Sequence, residues 1–520
     1  MRIPLVLYYT WLIIMDGNVV FNGNSTDQEQ QDQANPQSPT GTPAAVGEQP
    51  TADATSTTGD TGGVGTESPP PDDTVPEEPA SQSAGGNGLL KKILIGVGIL
   101  AVIILLIFLF LPKKETSKNV KLVWWGLWEE NATMQALISD FEKENPTILV
   151  EYIKQDPKQY RDRLISRINN DTGPDIFRFH NTWLPIMQDM LVPLSSDVIS
   201  AADFKKTYYP VMQDDLVRKG AIYGIPLGTD SLALFVNTEL LESAGVPPPT
   251  NWDDFTKAAK KMTVKDEQGE IKTSGAAIGV YGNITHAPDI ISVLFKQQGI
   301  NLLDLDTSLD AEIEALTFYT GFGADDQRVW DSRLDESLLA FSKGTVAMYF
   351  GYSWDVFRLQ RLNANLPFAV HPVPGLYGKN TTIASYWVEG VSARSANQKE
   401  ALLFMQYLAK KETAQKFYSE AAKARGFGEP PARIDLADSV KDNKIVAPFV
   451  AQMETADSSF FVSDTQDGEG GLNSLANTYL GDAVNAIVND GTSPKSVMTS
   501  FNGGVAQTLQ KYDISATSNP

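Results

Sequence analysis

The stretch that decides the fold is residues 219–255, KGAIYGIPLGTDSLALFVNTELLESAGVPPPTNWDDF. It opens with a glycine-bounded turn that leads into Ile225-Pro226. The run from Leu232 to Val236 is apolar throughout, which is typical of a strand buried on both faces of a parallel-type sheet. The stretch therefore predicts a turn followed by a buried strand.

The second half of the same stretch marks the end of one helix and the start of the next. Gly245 and the prolines at 247–249 stop the first helix, and Thr250 or Asn251 can cap the second. The second helix would bury the face formed by Trp252, Phe255, Ala259 and Met262.

Composition excludes several classes of function. With 520 residues, the chain is long enough for two or more domains. It contains no cysteine, so disulfides, zinc–thiolate sites and a cysteine nucleophile are excluded, and three histidines make a histidine-based metal site unexpected. Residues 16–88 carry −12 of the net charge of −22, which leaves only −10 for the rest of the chain. This mild acidity argues against nucleic acid as a partner, and no cofactor or metal motif is present.

The N-terminal region contains a predicted membrane span. Residues 93–111 are nineteen consecutive apolar residues, counting glycine, and lysines bracket them. As a helix they would be about 30 Å long, which matches a bilayer core. We expect a retained transmembrane helix over 89–112, a linker over 113–118 and a disordered acidic tail over 1–88.

Two questions about this region stay open. Residues 3–15 form a short apolar run, which is either a signal-peptide core or an upstream extension with translation starting at Met15. Two lysines precede the span and four follow it, a count that places the C-terminal domain inside the cell. Large domains translocate largely regardless of such counts.

From about residue 119 the pattern becomes that of a mixed α/β domain. Strands are predicted at 120–125, 148–153 and 175–179, with a helix in each interval. The helices are marked by spaced apolar residues: Met134, Leu137, Ile138 and Phe141 in the first, and Tyr160, Leu164 and Ile168 in the second. Alternating strands and helices imply right-handed βαβ units and a parallel sheet.

Five motifs, in this order, give the chain a family resemblance. They are Thr172-Gly-Pro-Asp-Ile-Phe177, the 219–255 stretch, a strand at Phe341-Ser-Lys-Gly-Thr-Val-Ala-Met348, a helix at 401–412, and Pro430-Pro431. In this order they resemble the family 1 extracellular solute-binding proteins, which are the mostly sugar-binding receptors of ABC importers. The resemblance covers roughly residues 119–515.

The resemblance implies an α/β fold of the periplasmic-binding-protein-like type II, within residues 119–516. Two α/β lobes would be joined by hinge strands near 226–231 and 385–391. The expected division is lobe one, about 119–228 and 389–447, and lobe two, about 229–388 and 448–515.

Tryptophans are the first candidates for ligand contacts. A sugar needs flat apolar faces for its ring and fixed polar groups for its hydroxyls. Eight tryptophans follow the predicted anchor, and five of them lie in predicted strand-end loops, where a sheet of this type binds its ligand. Those five are Trp125, Trp128, Trp183, Trp354 and Trp387. For each of them the alternative is core packing, which we expect for Trp124 and Trp252.

Polar candidates accompany the tryptophans. They are Asn181, Asp230, Ser231 and Glu389, with Glu129, Arg178 and His180 beside them. Asp230 and Glu389 flank the two predicted crossings between the lobes, so we expect both at the cleft. For each polar residue the alternative is a loop-surface or capping role.

The resemblance implies a monomeric, membrane-anchored extracellular receptor that delivers a saccharide to the transmembrane subunits of an ABC permease. It implies no catalytic residue, cofactor or metal. Two alternatives stay open. One is a ligand sensor or glycan-adhesion module with the same fold and no transport role, which the retained anchor favours slightly. The other is a glycoside hydrolase that uses two carboxylates such as Asp230 and Glu389, although nothing around them in the sequence suggests it.

Overall fold

The computed structural model describes residues 119–324 and 328–514. The predicted tail, membrane span and linker lie outside these residues. Among the helices that are described, none is both long enough and apolar enough to cross a membrane.

Strands in the described ranges form two main sheets and two small two-stranded ones. The main sheets have the orders β2-β1-β3-β12-β6 and β10-β7-β11. The strands are β1 (Val120–Gly126), β2 (Ile148–Lys154), β3 (Ile176–His180), β4 (Val217–Arg218), β5 (Ala221–Ile222), β6 (Ile225–Pro226), β7 (Ala233–Asn237), β8 (Val264–Lys265), β9 (Ile271–Thr273), β10 (Met348–Gly351), β11 (Phe368–His371) and β12 (Trp387–Val391).

Helices cover the faces of both main sheets. The α-helices are α1 (Asn131–Glu144), α2 (Tyr160–Asn169), α3 (Leu184–Met187), α4 (Ala201–Thr207), α5 (Pro210–Leu216), α6 (Thr238–Ala244), α7 (Trp252–Met262), α8 (Ala287–Gln298), α9 (Leu309–Thr320), α10 (Ser337–Ser342), α11 (Ser353–Leu362), α12 (Gln398–Leu408), α13 (Lys411–Arg425), α14 (Ala447–Ala451), α15 (Leu472–Val488) and α16 (Pro494–Lys511).

The five-stranded sheet confirms the predicted βαβ units. Strand β1 pairs in parallel with both β2 and β3, and α1 and α2 form the connections. The predicted strands match the observed ones to within one residue at each end. Strand β12 returns antiparallel beside β3, and β6 pairs antiparallel with β12 at the edge. A late segment of the chain therefore completes the sheet that the first segment starts.

The second sheet corrects one prediction. Strand β7 is buried along its whole length, as its apolar run predicts. Both of its neighbours, β10 and β11, are antiparallel to it, so the prediction of a parallel-type sheet is wrong here. An apolar run reports burial on two faces, but strand direction depends on connections that lie far away in the sequence.

The helix end and the helix start predicted within residues 219–255 are confirmed. Gly245 adopts a left-handed conformation (φ 59°) just after α6, which glycine tolerates because it has no Cβ. Asn251 caps α7, because its Oδ1 accepts the backbone N–H of Asp254 at 2.9 Å. Trp252 is buried in the core and donates its indole N–H to Gln297, as the core prediction requires.

Two of the motifs have more breaks than predicted. The predicted strand at 341–348 contains the end of α10, a turn at Gly344 (φ 72°) and only the first residue of β10. The predicted helix at 401–412 divides between α12 and α13, which are separated at Ala409 and Lys410. Local turn geometry interrupts these segments although their apolar pattern continues.

Two segments cross between the main sheets and bond to each other. After β6 the chain passes residues 227–232 and enters β7, and before β12 it passes residues 383–386. The backbone N–H of Leu232 donates to Ile383 at 2.9 Å, and that of Ser385 donates to Asp230 at 3.1 Å. A third segment joins them at Asp457, whose N–H donates to Thr382 at 2.9 Å.

We call the five-stranded sheet with α1, α2, α12 and α13 lobe one, and the three-stranded sheet with α8, α9, α11, α15 and α16 lobe two. Helix α13 packs on α1 in lobe one, and α15 packs on α16 in lobe two. The expected division of residues 119–516 into two lobes, with its bounds, stays a prediction.

Candidate ligand-binding site

An aromatic cluster lies in lobe one where β3 ends and β12 begins. The ring of Trp387 meets three other rings edge-on or tilted: Trp128 at 5.7 Å, Trp183 at 5.4 Å and His180 at 5.1 Å between centroids. Trp128 and Trp387 are partly exposed, whereas Trp183 and His180 are fully buried. The structure thus brings three of the five predicted tryptophans together, with two of them presenting surface.

Trp183 supports this cluster from below. It stacks on Tyr160 at 6.1 Å, and its indole N–H is buried without an acceptor among the described residues. A buried donor without an acceptor is costly, so the cluster is not fully satisfied by protein groups alone.

His180 holds the cluster in place as a neutral side chain. Its Nε2 lies 3.0 Å from Ser385 Oγ and its Nδ1 lies 2.8 Å from Thr182 Oγ1. Burial lowers its pKa to about 3, because the charged ring would be poorly solvated at this position.

A second aromatic face belongs to lobe two. Trp354 stacks nearly parallel on Tyr352, with 4.2 Å between centroids and 14° between planes. Trp354 is partly exposed in the first turn of α11, while Tyr352 is buried and donates its hydroxyl to Asp289 at 2.6 Å. The sequence predicted Trp354 and missed Tyr352, whose position after β10 was the available signal.

Asp230 connects these two faces. Its Oδ2 accepts the backbone N–H of Ser353 at 2.9 Å and the Ser353 hydroxyl at 2.5 Å, just before Trp354. Its backbone oxygen accepts from Ser385, two residues before Trp387. Asp230 is buried, and burial raises its pKa well above the usual range. Both aromatic faces therefore stand beside the same crossing.

Ser231 continues that crossing. It is fully buried, and its hydroxyl donates to the backbone oxygen of Phe449 at 2.9 Å. Protein partners occupy the polar atoms of Asp230 and Ser231 in this conformation. Direct ligand contact by either residue would require an exchange of these bonds and stays a prediction.

An ion-pair cluster lies beneath the lobe-one face. Arg178 bonds to Glu389 through Nε (2.7 Å) and Nη2 (2.6 Å) and to Glu129 through Nη1. The second oxygen of Glu389 accepts the Trp124 indole N–H at 2.7 Å. Burial raises the pKa of Glu389. Burial is also the largest single effect on Glu129, but the charges of Arg178 and Arg425 and the hydrogen bonds together outweigh it and lower the Glu129 pKa. Glu389 thus lies inside β12, beyond the crossing at 383–386 and buried in an ion pair, and its ligand contact stays a prediction.

Asn181 links lobe one to the third segment, at Ser458 next to Asp457. Its side-chain N–H groups donate to Asp215 at 2.9 Å and to Ser458 at 2.8 Å. Its neighbour Thr182 donates to Asn473 of α15 at 3.0 Å, so the two lobes touch here. Trp125, the remaining predicted tryptophan, is partly exposed at the end of β1 and makes no ring contact with the other described candidates. The ligand contacts of both residues stay predictions.

Lobe two contains a charged network that sequence reasoning missed. His286 is fully buried, and its Nε2 donates to Asp355 at 2.7 Å while its Nδ1 lies 2.7 Å from Ser463 Oγ. Burial alone would lower its pKa, but Asp355 and Asp289 outweigh burial and raise it well above the usual value. The network holds Tyr352 in position, because Asp289 also accepts the Tyr352 hydroxyl.

No group of three or more histidine, cysteine or acidic residues within 119–324 and 328–514 is arranged to hold a metal ion. The arrangement offers instead two partly exposed aromatic faces, with buried polar groups that fix their positions. Such a surface suits a ring-shaped ligand with hydroxyl groups.

Comparison with known proteins places the chain in a family. The family model described as bacterial extracellular solute-binding protein matches residues 136–448. The multiple sugar-binding protein of Streptococcus mutans is 22% identical over 307 residues, which are 56% of this chain and 71% of that protein.

Solved structures agree on the fold. The GacH receptor of Streptomyces glaucescens, determined unliganded and in complex with acarbose, gives a TM-score of 0.59 at 20% identity and covers 76% of this chain and 99% of its own. The sugar-binding protein MalE of Xanthomonas citri gives a TM-score of 0.62 at 20% identity, with 76% and 98% covered. The α/β periplasmic-binding-protein-like fold is confirmed.

Proposed function

Because the chain belongs to the bacterial extracellular solute-binding proteins, we propose that it binds a sugar or oligosaccharide in the cleft between lobe one and lobe two. The observation that carries this proposal is the pair of partly exposed aromatic faces on opposite lobes beside one crossing. Trp387 and Trp128 offer the face of lobe one, and Trp354 on Tyr352 offers that of lobe two. Each face can stack on the apolar side of a pyranose ring.

The polar groups needed for the hydroxyls lie at the same place. The amide of Asn181 and the carboxylates of Asp230 and Glu389 stand behind the aromatic faces, and the buried indole N–H of Trp183 lies beneath the face of lobe one. The multiple sugar-binding protein of Streptococcus mutans and the acarbose complex of GacH support a saccharide as the ligand class. The protein acts as a binding protein without catalytic residues, cofactor or metal.

The two lobes behave as rigid bodies joined by the crossings at 227–232 and 383–386. A ligand held by both aromatic faces binds the closed form more tightly than the open form and shifts the population towards it. The closed, loaded receptor then delivers its ligand to the transmembrane subunits of an ABC permease. Residues 93–111 anchor the monomeric receptor in the membrane with the binding domain on the extracellular side.

A thermal-shift screen of the full-length protein tests the binding proposal. Mono- and oligosaccharides, amino acids and polyamines are compared at equal concentration, because a ligand of the folded state raises the melting temperature by mass action. We expect a saccharide to give the largest rise. Trp387→Ala should abolish that rise, whereas Trp387→Phe, which keeps a flat ring, should retain part of it.

The other outcomes separate the alternatives. A rise in melting temperature only with amino acids or polyamines would still support a solute receptor but would contradict a saccharide as its ligand. Release of shorter saccharides during incubation would indicate a glycoside hydrolase. Binding without uptake in cells that carry the permease would favour the sensor or adhesion role.

A further inference from the structure

A pocket of about 410 Å³ opens between the lobes at the far end of α11. It is lined by Phe357, Gln360 and Arg361 of lobe two and by Arg425 of lobe one. The pocket therefore has one arginine from each lobe, and it is separate from the two aromatic faces described above. We call it the arginine pocket.

The guanidinium of Arg425 is only partly satisfied. It lies over the ring of Phe357, 5.0 Å from the centroid, and Phe357 in turn stacks on Phe427 at 4.4 Å. Nε and Nη2 are buried and hydrogen-bond to no described residue. Glu429 is the nearest acid, but its oxygen is 3.6 Å away, which is an ion-pair distance and not a hydrogen bond. Two buried nitrogens of Arg425 thus lack a hydrogen-bond acceptor among the described residues, which is costly.

Glu429 neutralises Arg425 incompletely. Its carboxyl is buried beside Glu129, and burial together with the Glu129 charge raises its pKa to about 7. Glu429 therefore pairs with Arg425 less strongly than an ordinary carboxylate would near neutral pH, and the charge of Arg425 also acts on the buried Glu129.

Arg361 faces the same pocket from lobe two. It is exposed in the last turn of α11 and forms no ion pair or hydrogen bond within the described ranges. Trp354, Phe357 and Arg361 are spaced i, i+3 and i+7, so they follow one face of α11 from the aromatic site to the pocket. Seven residues of helix span about 10 Å, which suits a ligand that extends past the aromatic faces.

We propose that the arginine pocket binds an anionic group at one end of the saccharide, either the carboxylate of a uronic acid residue or a sulfate ester. This inference rests on the proposed function and narrows its ligand class to acidic saccharides. A planar guanidinium fork matches a carboxylate or sulfate better than it matches a hydroxyl. An anion held between Arg361 and Arg425 bridges the two lobes and stabilises the closed form.

Titration calorimetry of the full-length protein tests the proposal. The probes are digalacturonate, a sulfated chondroitin disaccharide and the neutral disaccharides maltose and cellobiose. We expect at least one acidic probe to bind about tenfold or more tighter than the neutral ones, the size of a charge-assisted hydrogen bond. The carboxylate and sulfate probes decide between the two sources of the anion.

Variants locate the effect. Arg361→Gln should remove the preference for the acidic probe and leave neutral saccharides unchanged, and folding is safe because this side chain is exposed. Arg167→Gln is the matched control, since Arg167 is an exposed arginine in the last turn of α2 and lies outside the pocket. Arg167→Gln should change neither the affinity for the acidic probe nor that for neutral saccharides.

Failure of the anion site and failure of the proposed function would give different results. If neutral saccharides bind as tightly as acidic ones, or if Arg361→Gln and Arg167→Gln weaken acidic binding equally, the pocket is not an anion site although the receptor stands. If no saccharide binds, charged or neutral, both the pocket and the proposed function are overturned.

Discussion

Two histidines, one in each lobe, are equally buried, but one is neutral and the other is positively charged. His180 in lobe one and His286 in lobe two are both 0% exposed. The pKa of His180 falls to about 3 because burial acts on it almost alone, whereas Asp355 and Asp289 raise the pKa of His286 well above its usual value. Burial is therefore not what decides the charge of a histidine; the neighbouring carboxylates are.

The difference in charge between the two histidines matches the surroundings of the aromatic face in each lobe. Lobe one packs a neutral ring against Trp183 and Trp387, where a charge would be poorly solvated. Lobe two uses a charged ring to tie Asp355 and Asp289 together, and through Asp289 it fixes the Tyr352 ring on which Trp354 stacks. One aromatic face is thus supported by packing and the other by ion pairing.

The largest expected effect is that of His286→Gln. The substitution removes the buried cation that pairs with Asp289 and Asp355, although Asp355 keeps Arg358 at 3.3 Å. Removing one partner of a buried ion pair costs about 3–5 kcal/mol. The free energy of unfolding from urea denaturation measures the loss.

His371→Gln serves as the control for that measurement. His371 lies in β11, is only partly buried and forms no ion pair in the part of the chain that the structure describes. Its replacement should change the free energy of unfolding by about 0.5 kcal/mol or less. Equal losses in the two variants would mean that His286 is neutral.

The dependence of stability on pH should be opposite for the two histidines. Below pH about 6.5, His180 is protonated in the unfolded chain but not in the folded chain. As the pH decreases, His180 therefore lowers the free energy of unfolding by up to about 1.4 kcal/mol per pH unit. His180→Gln should make this fall shallower between pH 6.5 and about 3. His286 has a raised pKa, so its stabilisation is complete below pH about 6.5 and is lost as pH rises through the folded value.

His286→Gln should accordingly lack that alkaline loss. Denaturation midpoints measured across the pH range for the wild type and both variants check the two signs. Parallel curves for all three proteins would remove the distinction between the histidines.

The smallest expected effects come from the serine partners. Ser463→Ala removes a hydrogen bond from a charged ring and should cost about 1.5–3 kcal/mol, whereas Ser385→Ala removes one from a neutral ring and should cost about 1 kcal/mol. Thermal denaturation of the two variants under one buffer condition gives the comparison. A larger loss for Ser385→Ala would contradict the assigned charges.

The sequence was sufficient for the features that depend on local pattern. Strands β1 to β3, helices α1 and α2, and the Asn251 cap follow from apolar periodicity and capping chemistry, which act over a few residues. Trp128 lies in the loop after β1, as the same pattern predicted, whereas Trp354 and Trp387 were expected in strand-end loops and lie in the first turn of α11 and at the first residue of β12. All three are partly exposed beside the crossings.

Features that depend on distant partners were not accessible in this way. The burial of Glu389 results from Arg178, which is 211 residues away, and the charge of His286 results from Asp355, 69 residues away. The antiparallel neighbours of β7 likewise come from segments more than 100 residues later in the chain. Spacing in one sequence carries no signal for such pairings.

Hydrogen exchange with and without a saccharide tests the central claim most directly. If the ligand lies between the lobes, amides near Asn181 to Trp183 and Trp387 in lobe one and near Tyr352 to Trp354 in lobe two should gain protection together. Protection confined to one lobe, or absent from both at saturating saccharide, would contradict a binding site built from the two aromatic faces.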